Sequence, residues 1–154
     1  MYTKEEKREI QSAFYTTFGR MMRPIPSESG RKVRWTNYRT GISKLFVRVK
    51  LTTDTAIFSI DLQQTDMGIR DLYWEQCQSF IRIMESTFPQ PLTWQKNAEV
   101  ETGIYAHRIT AQIEGVNLYD KNTWPTAFAF FKENLIAFDS FWSMVSDVFK
   151  DLEK

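Results

Sequence analysis

"KLFVRVKLTTDTAIFSIDLQ", residues 44–63, is the stretch whose reading decides the fold. Val47, Val49 and Leu51 alternate with charged or polar neighbours, and Phe58, Ile60 and Leu62 do the same after a polar break at Thr53-Asp54. Period-two alternation on both sides of a short break predicts an antiparallel hairpin. A turn at Thr53-Asp54 pairs Leu51 with Ala56, Val49 with Phe58 and Val47 with Ile60. That register puts both apolar sets on one side, and a slip of one residue would turn one set into water. The other side carries Phe46, Arg48 and Lys50 beside Ile57, Ser59, Asp61 and Gln63, a polar and partly basic face.

Upstream, Thr3 and Glu6 have capping-box spacing. Ile10, Ala13, Phe14, Phe18, Met21 and Met22 then recur at helical intervals, and Pro24 and Pro26 end the helix because neither has an N–H to donate. Downstream, Ile69, Leu72, Tyr73, Cys77, Phe80, Ile81 and Met84 predict a helix from about residue 69 to 88, stopped by Pro89 and Pro91. "LTWQK" reads as a short strand and "GIYAHRITAQIEG" as a long one, with Tyr105, His107, Ile109, Ala111 and Ile113 on one face. Thr123 and Pro125 suit a helix start. From Phe128 to Leu152 an apolar residue returns every third or fourth position, as one long helix or as two broken near Asp139-Ser140. The expected fold is a single α+β domain spanning 1–154, in the order α-β-β-α-β-β-α. Its antiparallel sheet has about four to five strands, packed by three to four helices.

Composition narrows the class. With 154 residues, 42% of them hydrophobic and 15% aromatic, the chain can bury a core. Its start, "MYTKEEKREI", has no apolar segment of the kind a signal peptide needs. No run approaches the about 18 apolar residues of a membrane span. A cytoplasmic protein without membrane attachment is expected. Cys77 is the only cysteine and falls in a helical pattern, so a buried thiol is expected rather than a disulfide.

Net charge is +1, but it is segregated. Residues 20–50 hold nine basic side chains against Glu28 alone, leaving the remainder of the chain net acidic. "RKVRWTNYRTG", residues 31–41, mixes arginine with Trp35 and Tyr38. Phosphates favour guanidinium and ammonium groups, and unpaired bases stack on aromatic faces. The candidate binding residues are Arg34, Trp35, Asn37, Tyr38, Arg39, Lys44, Arg48 and Lys50, with Arg20 and Arg23 extending the patch.

Catalytic signatures are sparse. His107 is the only histidine and lies in a strand pattern far from Cys77, which argues against a nucleophile–base pair. One Cys and one His do not make a zinc site, and no phosphate-cradling glycine motif occurs. No catalytic residue, metal or cofactor is assigned. A metal-dependent nuclease would need carboxylates such as Asp54 and Asp61 beside a lysine, but position 63 is Gln and no Lys follows it. The expected function is a non-catalytic module that binds nucleic acid or another polyanion through residues 20–50. The alternatives are a protein-interaction or homodimerising domain, using Phe130, Ile136 and Phe141 off the main helical stripe, and a nuclease-like domain, degenerate or active.

Three blocks carry a resemblance. "FGRMMRPIPSESGRKVRWTNYRTGI", residues 18–42, "SIDLQQTDMGIRDLYWEQ", residues 59–76, and "RITAQIEGVNLYDKNTWPTAFAFFKE", residues 108–133, resemble an uncharacterised bacterial family, the domain of unknown function four-two-six-eight. The shared features are Phe18-Gly19, the Pro-Ile-Pro-Ser run at 24–27, and Trp35-Thr36-Asn37-Tyr38-Arg39-Thr40-Gly41. Asp61 stands where the family pattern has Glu. The resemblance brings no established activity. Related domains attached to nuclease-like regions imply a nucleic-acid context or an auxiliary role in defence systems.

Overall fold

A computed structural model describes residues 1–153. Helix α1 (Lys4–Met22) begins with the expected box: the Thr3 hydroxyl accepts from the Glu6 N–H at 3.1 Å, and the Thr3 N–H donates to the Glu6 carboxylate at 3.2 Å. Strands β1 (Leu45–Leu51) and β2 (Thr55–Leu62) form the hairpin, with Val47 opposite Ile60, Val49 opposite Phe58 and Leu51 opposite Ala56. The register is the one that the alternation of apolar residues predicts.

Helices α2 (Met67–Ser79) and α3 (Ile81–Thr87) follow, then β3 (Thr93–Glu101), β4 (Ile104–Glu114) and α4 (Trp124–Asp151). The four strands lie in the order β1-β2-β4-β3, every neighbouring pair antiparallel. The architecture is α+β.

The predicted second helix is two helices. At Phe80 the backbone leaves helical geometry (φ −102°, ψ 15°), which separates α2 from α3. The buried stripe also differs from the expected one. Ile69, Leu72 and Ile81 are exposed, while Arg70, Tyr73, Trp74, Cys77 and Met84 point inward. Arg70 is accommodated because its Nε–H donates to the Gln64 carbonyl at 2.8 Å, and Asp66 caps α2 by accepting from the Ile69 N–H.

Helix α4 is continuous through Asp139-Ser140, 28 residues in all. It is buried almost all round at mid-length, because α1, the sheet and α3 each pack against part of it. Phe14 and Phe18 of α1 stack on Phe128, and Phe58 of β2 meets Phe138. Phe130 and Phe141, expected on an outer interface, are 3% and 2% exposed. Phe141 packs edge-on against Phe80 at the α2–α3 break. Ile136 does remain exposed. Each fully buried aromatic contributes about 1.5–3 kcal/mol of apolar transfer, so this ring cluster dominates the core. Among the described residues no helix is long and apolar enough to cross a membrane.

Candidate functional site

Between α1 and β1 the chain has little regular structure, a single 3₁₀ turn at Trp35–Asn37, yet it is tied down at many points. Trp35 is 4% exposed, and its indole N–H donates to the Ile25 carbonyl at 2.9 Å. The Thr40 hydroxyl accepts from the Ile42 N–H and sits 3.1 Å from the Leu45 carbonyl, to which it donates. Trp142 of α4 donates its indole N–H to the Thr40 carbonyl at 3.0 Å. Gly41 takes φ +82°, a left-handed conformation that a residue with Cβ strains to adopt.

The strongest tie is Asp139, 3% exposed on α4. Its carboxylate accepts from the Ser27 hydroxyl at 2.8 Å, the Glu28 N–H at 2.7 Å and the Tyr38 hydroxyl at 2.6 Å. A buried carboxylate needs such donors to offset lost hydration. The Tyr38 phenol is held far above its ordinary pKa, first by burial, then by its hydrogen bond to Asp139 and by the charge of that carboxylate. Tyr38 therefore stays protonated and donating.

So anchored, the loop and the C-terminal half of α4 enclose a cleft of about 740 Å³. Arg31, Lys32, Arg34, Arg39 and Lys150 line it, with Asp139 and Asp147. Among the described residues, none of those five cations has an ion-pair or side-chain hydrogen-bond partner. Asp139 is shielded by its three donors, and the lining has a formal charge of +3, since five cations face two carboxylates.

Of the residues expected to bind, Arg34, Asn37, Tyr38 and Arg39 come together here. Trp35 needs correcting. Its indole is sealed between the loop and α1, so it offers no face for a base. Tyr38 is committed to Asp139, and its ring sits edge-on to Phe138. Lys44, Arg48 and Lys50 lie outside this cleft. Lys44 lies in the turn just before β1, at φ +64°, and Arg48 and Lys50 project from the polar face of the sheet. Lys150, Asp139 and Asp147 were not anticipated. Asp139 did leave a trace, as a lone charge in the aromatic run "AFDSFW" at 137–142, where a carboxylate needs a compensating donor.

On the sheet face, Asp61 is fully buried beneath two arginines. Arg108 binds it through Nε at 2.8 Å and Nη2 at 3.1 Å, and Arg48 through Nη1 at 2.8 Å. Ser59 also donates to it, Arg48 bonds the Gln63 side chain, and the Arg48 guanidinium lies 4.4 Å above the Phe46 ring. Both Asp61 oxygens are thus engaged, and Asp54 is bonded within its turn by Thr52. Among the described residues, no group of three or more His, Cys, Asp or Glu side chains could hold a metal ion.

His107 is fully buried. Its Nδ1 accepts from the Asn97 N–H at 3.1 Å, which leaves the ring proton on Nε2 to donate to Asp71 at 2.7 Å. The Asn97 N–H reaches the ring because β3 bulges there, with Asn97 at φ +54°. Burial pushes the Cys77 thiol up to about 12.

No curated protein matches the chain, and no solved structure does. The family described as "Domain of unknown function (DUF4268)" matches residues 10–146, nearly the whole length, and the chain belongs to that family.

Proposed function

We propose that this domain is a non-catalytic nucleic-acid-binding module, which holds the sugar-phosphate backbone in the cleft between the 27–41 loop and α4. The observation that carries this reading is the convergence of Arg31, Lys32, Arg34, Arg39 and Lys150 on one cleft without internal partners among the described residues. Unpaired cations on a fixed frame attract phosphates without first giving up an ion pair. The Asp139, Thr40 and Trp35 anchors have already met the entropy cost of ordering the loop. With Trp35 sealed and Tyr38 engaged, contact is to backbone phosphates rather than to bases, so binding tolerates sequence.

Such binding depends on salt through counterion release. Five phosphate contacts give a slope of log K against log salt of about −3.5 for single strands and −4.5 for duplex. Fluorescence anisotropy with labelled DNA and RNA at several salt concentrations measures it. The triple variant Arg31→Gln, Lys32→Gln, Arg39→Gln should lose most binding and flatten the slope by about 2 to 3. Absence of binding to every nucleic acid at low salt, or a triple variant that binds like the parent, refutes the reading.

A further inference from the structure

Resting on that reading, we infer that the ligand is a strand of several nucleotides rather than a single nucleotide, because a second anion subsite at the end of α1 continues the first. A separate cleft of about 570 Å³ lies on the α1 side of the same loop, and Arg20, Arg23 and Arg34 line it with Thr16 and Thr36. Val33 and Arg34 line both clefts. The two therefore meet across this dipeptide, and Arg34 can serve a phosphate on either side of it.

Local structure builds this second subsite. Arg20 and Arg23 stand three residues apart at the last turn and cap of α1, and that spacing puts them on one helix face. Both are exposed, and neither has an ion-pair partner among the described residues. Beside them the 3₁₀ turn closes on α1 at Gly19, where a Cβ would sit 3.7 Å from the Thr36 methyl. Tyr15, Gly19, Val33 and Trp35 complete the lining, with Trp35 only 4% exposed, so the three arginines are its only charged groups.

Arg20, Arg23, Arg34, Arg31, Lys32, Arg39 and Lys150 thus form a track from α1 over the loop to α4. A mononucleotide, whose phosphates form one compact group, engages one subsite. A strand with a phosphate at every nucleotide engages both, and its affinity rises with length until the track is filled.

The test is anisotropy with single-stranded oligonucleotides from about 3 to about 16 residues, since single-strand sites span roughly 4–16 nucleotides. It compares the parent, Arg20→Gln/Arg23→Gln and Arg31→Gln/Arg39→Gln, with thermal melts to confirm that each is folded. Affinity should rise with length in the parent. The α1 pair should lower affinity for the longest strand by about tenfold or more, reduce its salt slope by about 1.4, and leave the shortest strand unaffected. If the α1 pair binds long strands like the parent while Arg31→Gln/Arg39→Gln loses binding, the second subsite is rejected and the first cleft stands. If neither pair alters binding, both readings fall. Full competition by a mononucleotide at equal phosphate concentration also rejects the extended track.

Discussion

Replacing Tyr38 with Phe removes one oxygen and tests what fastens the basic loop to α4. The hydroxyl donates at 2.6 Å to Asp139, a buried carboxylate whose other donors are Ser27 and the Glu28 N–H. A hydrogen bond to a charged acceptor contributes about 1.5–3 kcal/mol net. The ring keeps its edge contact with Phe138, with centroids 5.3 Å apart, so little packing is lost. Tyr38→Phe should therefore cost about 2 kcal/mol, a fall in Tm of roughly 4–8 °C at 2–4 °C per kcal/mol for a chain of this size. Asp139→Ala, which takes the acceptor from Tyr38 and the Glu28 N–H and leaves the Ser27 hydroxyl only Ser29, should cost more than Tyr38→Phe, about 3–4 kcal/mol, because each donor left without a partner carries a penalty of about 1–3 kcal/mol. Urea denaturation of Tyr38→Phe, Asp139→Asn and the double variant gives the coupling, which should be at least about 1 kcal/mol for groups in direct contact. A Tyr38→Phe cost below about 0.5 kcal/mol, the level of an ordinary surface change, or a coupling near zero, refutes the clamp.

Two further predictions follow from the titrating groups. The His107 hydrogen bond, opposed by partial desolvation and aided by Lys96, holds Asp71 below the ordinary carboxylate pKa. A depressed folded pKa stabilises the fold above the unfolded value of about 4 and loses that contribution as pH falls through the lower folded value. Asp71→Asn should therefore flatten the dependence of Tm on pH below about pH 4 and leave the neutral side level, and an unchanged acid limb refutes the link. Cys77, with its thiol pushed up to about 12 by burial, should resist a disulfide-exchange reagent at neutral pH in the folded protein and react promptly in denaturant. Rapid modification without unfolding contradicts its placement.

What the sequence reveals here is set by how local each determinant is. The β1–β2 register is legible because Val47, Val49, Phe58 and Ile60 alternate across a short turn at Thr53-Asp54, and a slip of one residue would turn one set out of the core. The α2–α3 break is not, since Tyr73, Cys77, Phe80 and Met84 continue a helical period across it. At the break Phe80 meets Phe141, from a helix about sixty residues away, a contact that the local pattern does not reveal. The basic concentration in residues 20–50 is plain from composition, but its division is not. Arg48 turns to Asp61 because its strand parity puts it on the sheet face, whereas Arg34 and Arg39 follow the loop to α4. Trp35 looks like a stacking residue among arginines, and only the Ile25 carbonyl, brought back by the Pro24–Pro26 bend, shows where its indole goes.

The strand order β1-β2-β4-β3 has a consequence for how the chain assembles. Two of the three seams are hairpins closed over a few residues, each able to zip up early and cheaply because little loop entropy is lost. The middle seam, β2 against β4, joins partners about fifty positions apart. It is the step at which two separately formed halves become committed to each other. The same arrangement makes that seam the place where one molecule's half could pair with another's, so crowding during refolding should yield exchanged dimers rather than scrambled monomers.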